Sequence, residues 1–194
     1  MKGVMLAGVV AALMPGAASA HIVAGEQVGF ISGLLHPISG WDHIIAMVAV
    51  GIWGAQLGRP AIWGLPVTFP LVMAVGGFFG LIGLKLPGGE AAIALSGLCL
   101  GAAVAFAWRA PLPAAAALGG LFGLFHGYAH GSELPPGQNA LLYSLGFIIA
   151  TGLLHGLGVS LGLVHRWLWG QLALRMAGVL ISCGGAFFLW RAAA

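Results

Sequence analysis

Two groups of ionisable side chains stand out in an otherwise apolar chain. The first lies in the segment His36-Pro37-Ile38-Ser39-Gly40-Trp41-Asp42-His43, which combines two imidazoles with a carboxylate. The second is the pair His126 and His130, whose four-residue spacing puts both rings on one face of a helix. Imidazole and carboxylate together suit a borderline divalent ion such as nickel, cobalt, zinc or iron, whereas cuprous ions prefer sulfur. These residues therefore form a candidate site for a divalent transition metal.

The composition indicates a membrane protein. Of the 194 residues, 60% are hydrophobic and 6% are charged, and the mean hydropathy is +1.05. Several apolar stretches reach the roughly 20 residues that cross a bilayer, and in lipid such stretches form helices. The net charge of +3 comes without a basic stripe, so the expected partners are lipid and a divalent metal ion rather than nucleic acid. Cys99 and Cys183 both lie in apolar runs, which argues against a disulfide framework.

The N-terminal segment, residues 1–20, has the pattern of a cleavable signal peptide. Lys2 precedes an apolar core, and Ala18-Ser19-Ala20 provides small residues at the cleavage site. A first membrane helix is the competing interpretation, but Pro15-Gly16 interrupts it. Cleavage would leave His21 at the mature N-terminus, where its amino group and imidazole could chelate a metal. A terminus without any role is an equally good interpretation of His21.

The mature chain is predicted to be all-α, with residues 21–194 forming one domain of six transmembrane helices and short loops. The first helix is expected to break near His36-Pro37, because proline removes an amide donor and disfavours helix at the preceding residue. The helices are predicted at roughly 27–57, 61–84, 90–108, 112–131, 139–165 and 172–191.

The distribution of basic residues predicts the orientation. Cleavage places the mature N-terminus outside, and six helices return the C-terminus to the same side. The predicted inner loops carry Arg59, Arg109, Arg166 and Arg175, against Lys85 and Arg191 outside. This bias fits the positive-inside rule. We therefore expect a multi-pass protein of the bacterial inner membrane with both mature termini in the periplasm.

In this topology the ionisable side chains converge towards the outer surface. His155, about 16 residues into its helix, lies deeper than the others. An outer cluster followed by a deeper ligand is typical of a permeation route, whereas a structural metal site saturates its coordination and stops. The residues predicted at the outer depth are His36, Asp42, His43, His126 and His130, with Glu90 and Glu133 at the surface.

Each of these residues also has a simpler interpretation. A single membrane histidine is often an interhelical hydrogen bonder, and Glu90 and Glu133 could be ordinary loop acids. Glycines next to the histidines predict close helix packing on two faces. One face contains Gly119, Gly123, Gly127 and Gly131, and the other Gly152 and Gly156.

The sequence resembles the HupE/UreJ family of small bacterial nickel permeases and accessory proteins. The resemblance rests on His36-Pro37-x-x-Gly40-x-Asp42-His43, on Phe125-His126-Gly127-x-Ala129-His130-Gly131 and on Thr151-x-x-x-His155, and it covers essentially the whole mature chain. It implies uptake of nickel, or of cobalt, for a metalloenzyme such as hydrogenase or urease, with a functional link to nickel-enzyme maturation proteins. It also implies roles for Phe69 and for the residues His36, Asp42, His43, His130, Glu90 and Glu133. The metal would be a transported ion, with no permanently bound cofactor.

Several other functions remain open at this stage. The protein could be a cobalt permease, or a membrane metal-binding accessory protein without transport. Gly158-Val159-Ser160-Leu161-Gly162 fits the GxSxG pattern of serine hydrolases, but it lies in a predicted helix instead of a strand–turn–helix elbow. A haem carrier with axial histidines is a further candidate. No phosphate-binding loop occurs, and no enzyme activity is expected. Oligomeric state, proton coupling and the choice of metal are not determined by the sequence.

Overall fold

The computed structural model describes residues 29–134 and 137–194, and within these ranges the chain is helical with no strand. The predicted signal peptide and His21 lie outside the described residues. The helices are α1 (Phe30–Ser39), α2 (Trp41–Leu57), α3 (Ala61–Leu81), α4 (Gly89–Ala105), α5 (Leu112–Ser132), α6 (Ala140–Gly162) and α7 (Leu168–Ala193). A 3₁₀ turn, Leu163–Arg166, joins the last two.

The helices account for the membrane character of the chain. Four of them, α3, α5, α6 and α7, are long and apolar enough to cross a bilayer, and the bent pair α1–α2 can supply a fifth span. The remaining helix, α4, is apolar but shorter. Large apolar side chains such as Leu168, Phe106 and Leu141 are almost fully exposed, as expected of side chains that face lipid.

The first predicted helix is broken, but the break is not where the sequence pattern placed it. Pro37 lies inside α1, and the chain bends by 85° three residues later, at Gly40. Gly40 has extended backbone angles (φ −108°, ψ 122°), while the Ser39 hydroxyl donates to the carbonyl of His36 and closes the last turn. The prediction of a break at His36-Pro37 is therefore wrong by three residues. The ring of Pro37 removes one amide donor, but it takes extended backbone at Gly40 to end the helix.

Helix α2 forms the centre of the bundle. Its segment 46–56 is almost continuously buried, and α3, α4, α6 and α7 all pack against it. Trp53, which is fully buried, stacks on Trp108 and donates its indole N–H to the backbone carbonyl of that residue. The central position of α2 is what presents its N-terminal residues to the neighbouring helices.

Glycine contacts bring the backbones of α3 and α5 close together. A Cβ on Gly123 would lie 2.7 Å from the carbonyl oxygen of Phe69, and one on Gly127 would overlap the carbonyl of Met73. The predicted packing face on α5 is thus confirmed at these positions, although a Cβ on Gly119 would meet nothing within 4 Å.

The glycine face predicted on α6 is wrong. Gly152 and Gly156 are exposed, and a Cβ on either would meet nothing within 4 Å. Gly158 and Gly162 instead contact the backbone of α2. These two follow His155 by three and seven residues, so they share its buried face, whereas Gly152 and Gly156 point away from the bundle.

Candidate metal-binding site

His130 is the central side chain of the candidate site. It lies in the last turn of α5, it is 5% exposed, and neither of its ring nitrogens has a hydrogen-bond partner among the described residues. The ring of His36 from α1 lies 4.5 Å away between centroids, and that of His43 from α2 lies 4.6 Å away. Because buried polar groups normally have partners, unpaired nitrogens in such a cluster indicate a site for a ligand.

Glu133 extends this cluster towards the surface. One nitrogen each from His36 and His130 and one Glu133 carboxylate oxygen all lie within 4.8 Å of one another. Ligand atoms about 2.0–2.2 Å from one ion are at most about 4.4 Å apart, so small side-chain movements would complete a three-ligand set. Two imidazoles and one carboxylate are the donor types expected for a borderline divalent metal.

The charge environment connects Glu133 with Glu90. Helix α5 ends at Ser132, so Glu133 lies just beyond the membrane-spanning segment. Partial desolvation raises the pKa of the Glu133 carboxyl, and the negative charge of Glu90 raises it further. Glu90 begins α4 and is exposed. The carboxyl groups of Glu90 and Glu133 are therefore close enough for electrostatic repulsion, and they lie at the same end of the bundle.

Asp42 makes its contacts with His43. Its Oδ1 accepts hydrogen bonds from the backbone N–H and from the ring Nδ1–H of His43, both at 2.9 Å. With Nδ1 donating, Nε2 carries the lone pair, and this atom is buried with no partner in the part of the chain that the structure describes. A carboxylate that holds one imidazole nitrogen and so directs the other is the usual arrangement behind a metal-binding histidine.

His126 lies one helical turn below His130 and is completely buried. Its Nδ1 donates to the carbonyl of Phe122 at 2.9 Å, which leaves Nε2 without a partner among residues 29–134 and 137–194. The ring centroid of His43 is 5.1 Å away. His36, His130, His43 and His126 therefore form a continuous row of imidazoles.

Phe69 of α3 contacts both this row and His155. Its ring is fully buried, and its centroid is 5.4 Å from that of His126 and 5.4 Å from that of His155. The aromatic ring thus connects His155, in α6, with the row. The greater depth of His155 in the membrane stays a prediction.

A buried stripe of α6 includes two residues, Tyr143 and Phe147, that the sequence did not indicate as part of the site. Tyr143, Phe147, Thr151 and His155 recur every fourth residue and are all buried. The ring of Phe147 lies 4.3 Å from that of His130, and Tyr143 lies 5.9 Å from His36. The four-residue spacing of these side chains, which ends at His155, was the sequence signal that could have indicated a shared buried face. The stripe forms the wall of the site opposite α3 and α5.

The structure thus brings together most of the residues selected from the sequence. His36, His130 and Glu133 form a group of three potential ligands, and His43 and His126 continue the row of imidazoles from it. Asp42 is connected to this row by its hydrogen bond with His43, and Glu90 by the effect of its charge on Glu133. Phe69 and His155 lie at the end of the row that is further from Glu133.

The fold and the site define a class of protein: an all-helical membrane protein with a buried row of imidazoles that begins at a surface carboxylate. The family model described as "HupE / UreJ protein" matches residues 9–188. Protein HupE of Rhizobium leguminosarum bv. viciae is 45% identical over 176 residues, which cover 91% of this chain and 92% of that protein. The chain belongs to the HupE/UreJ family. No solved structure shows a significant match to it.

Proposed function

We propose that this protein takes up a divalent transition metal, nickel or its close neighbour cobalt, across the bacterial inner membrane. The observation that carries the proposal is the group of three potential ligands, His36, His130 and Glu133, in which the buried ring of His130 has no other partner among the described residues. Family membership supports the same cargo, because the resemblance implies nickel permeases and accessory proteins. The metal would serve a metalloenzyme such as hydrogenase or urease.

Each group has a defined part in this proposal. Glu90 and Glu133 attract the hydrated ion at the outer surface, and His36, His43, His126 and His130 replace part of its water, with Asp42 orienting the ring of His43. His155 receives the ion further in. The membrane potential supplies the driving force, since a dication that crosses 100 mV gains about 4.6 kcal/mol, twice the value for one charge. Signal-peptide cleavage and periplasmic termini belong to this proposal, as does the possible contribution of His21.

A non-transporting accessory protein is the second candidate, because the same site could hold an ion without releasing it inwards. The serine hydrolase interpretation gains no support from the geometry. The Ser160 hydroxyl is exposed and donates to the carbonyl of Gly156 on its own helix, while His155 is buried. The two side chains lie on different faces of α6.

Uptake of radiolabelled nickel into proteoliposomes with an inside-negative potential tests the proposal. We expect proteoliposomes with wild-type protein to take up nickel faster than empty liposomes do. His130→Ala should lower the uptake rate at least about tenfold, because it removes the imidazole at the centre of the site. His165→Ala is the matched control, since His165 lies in the 3₁₀ turn and bonds the carbonyl of Gly162. Binding without uptake by the wild type would favour the accessory function. Equal uptake by wild type and His130→Ala would contradict the site.

A further inference from the structure

Thr151 and His155 form a second group of unpaired polar atoms on α6, and His155 lies next to Phe69. Thr151 is fully buried and His155 is 1% exposed. The Thr151 hydroxyl and both ring nitrogens of His155 have no hydrogen-bond partner in the described ranges of the chain. The two residues are four apart on α6, so their side chains lie on one face.

The behaviour of Thr151 is unusual for a hydroxyl in a helix. Buried serine and threonine hydroxyls commonly donate to the carbonyl four residues earlier. Ser160 on the same helix does so, with its Oγ 2.8 Å from the carbonyl oxygen of Gly156. The hydroxyl of Thr151 makes no such bond within the part of the chain that is described. It is therefore available for a ligand at a position with no exposure to solvent.

Helix α3 brings a backbone carbonyl to the same place. The carbonyl of Pro66 would normally accept from the amide of residue 70, but residue 70 is also a proline and has no N–H. This carbonyl faces the ring of His155, although no hydrogen bond of normal geometry joins them. An imidazole and a backbone carbonyl thus face each other between α3 and α6, and the Thr151 hydroxyl lies one turn away on the same face of α6.

Phe69 contacts both this group and the row of imidazoles. Its ring lies nearly perpendicular to that of His155, at 86°, and its centroid is equally distant from those of His126 and His155. Phe69 is also fully buried. An ion that passes from His126 to His155 would therefore move along this ring.

We propose that Thr151, His155 and the carbonyl of Pro66 line an inner site for the same divalent cation, and that Phe69 connects it with the outer site. The inference rests on the proposed function for the identity of the cargo. Nitrogen and oxygen donors without a formal charge would hold a dication weakly enough for release, whereas the carboxylate-bearing outer site captures it. A buried water that satisfies the same atoms is the competing occupant.

Two measurements on the full-length protein distinguish the sites. Equilibrium dialysis with radiolabelled nickel in detergent reports capture, and uptake by proteoliposomes reports passage. The variants are Thr151→Val, which keeps the shape and removes the hydroxyl, and His155→Ala. Ser160→Ala is the control, because it removes an exposed hydroxyl from the same helix. Circular dichroism and elution volume verify that each variant is folded.

We expect both variants to keep the affinity of the outer site within about twofold of wild type and to lose the weaker binding of an ion at the inner site. The uptake rate should fall about tenfold or more, the usual scale for loss of a group around a metal. Unchanged uptake by Thr151→Val and His155→Ala would overturn the inner site and indicate a structural water only. Loss of outer-site affinity and uptake together in folded His155→Ala would also overturn it, because one merged site would then exist. If wild-type protein binds no nickel, the proposed function itself fails, and the inference fails with it.

Discussion

Replacement of Asp42 by asparagine tests how the outer site is organised. The carboxylate accepts two hydrogen bonds from His43, both at 2.9 Å, and so aims the free Nε2 into the imidazole row. Asparagine keeps the shape and one acceptor oxygen but loses the negative charge. Hydrogen bonds to an ionised acceptor are roughly twice as strong as neutral ones. The imidazole of His43 should therefore become a weaker and less firmly oriented ligand.

The expected loss of nickel affinity can be estimated from the position of Asp42 behind His43. Loss of a partner behind a metal ligand typically costs about 10–100-fold in affinity, which corresponds to about 1.4–2.7 kcal/mol. We expect Asp42→Asn to weaken nickel binding about tenfold and Asp42→Ala to approach a hundredfold, because alanine leaves the ring without any acceptor. Equilibrium dialysis of detergent-purified protein with radiolabelled nickel measures both values.

A double-mutant cycle provides the decisive comparison. If Asp42 acts through His43, then Asp42→Asn should cause little further loss in a His43→Ala background, because the ring that it orients is gone. Full additivity of the two losses would refute this reasoning and make Asp42 an independent ligand, as the sequence pattern predicted. Wild-type affinity in Asp42→Asn would refute any role in binding.

Two further predictions concern packing and pH. Gly127→Ala should destabilise the protein by about 1–3 kcal/mol, the usual cost of overpacking, because the new methyl group overlaps the carbonyl of Met73. Gly119→Ala is the control and should not lower the melting temperature, because its methyl group meets nothing within 4 Å. Equal decreases in the melting temperature of the two variants would contradict the packing. Nickel binding should weaken as pH falls towards the pKa of Glu133, because desolvation and the charge of Glu90 raise this pKa above its ordinary value and a protonated carboxyl no longer binds a cation. Glu90→Gln should move the loss of binding to lower pH, and dialysis at several pH values would contradict this if the midpoint stayed in place or rose.

The helical character of the chain and part of the site follow from simple rules. Long apolar stretches must be helices in lipid, and a four-residue spacing puts His126 and His130 on one face. Ionisable groups in such stretches are costly, which is why His36, Asp42 and His43 were selected. These inferences need only local sequence; the structure confirms the helices and the buried face shared by His126 and His130, and the metal-binding role of the selected residues stays a prediction.

The remaining details depend on how the helices pack, which local sequence does not contain. Gly152 and Gly158 are both glycines of α6, yet only the second contacts another backbone. The rotation of α6 about its axis decides this, and α1 and α2 set that rotation. The break at Gly40 likewise depends on how Ser39 closes the last turn of α1. Phe69 gave no chemical signal at all, because a phenylalanine in an apolar helix is ordinary.

The 85° bend at Gly40 has an electrostatic consequence for the candidate site. It ends α1 within the protein, with His36 in its last turn, and it starts α2 with Asp42 in its first turn. The C-terminal end of a helix carries about half a negative charge and the N-terminal end about half a positive charge, and neither partial charge titrates. The backbone of α1 therefore favours a cation beside His36, while the backbone of α2 favours the ionised carboxylate of Asp42. One long helix through residues 30–57 would offer neither helix end at this position.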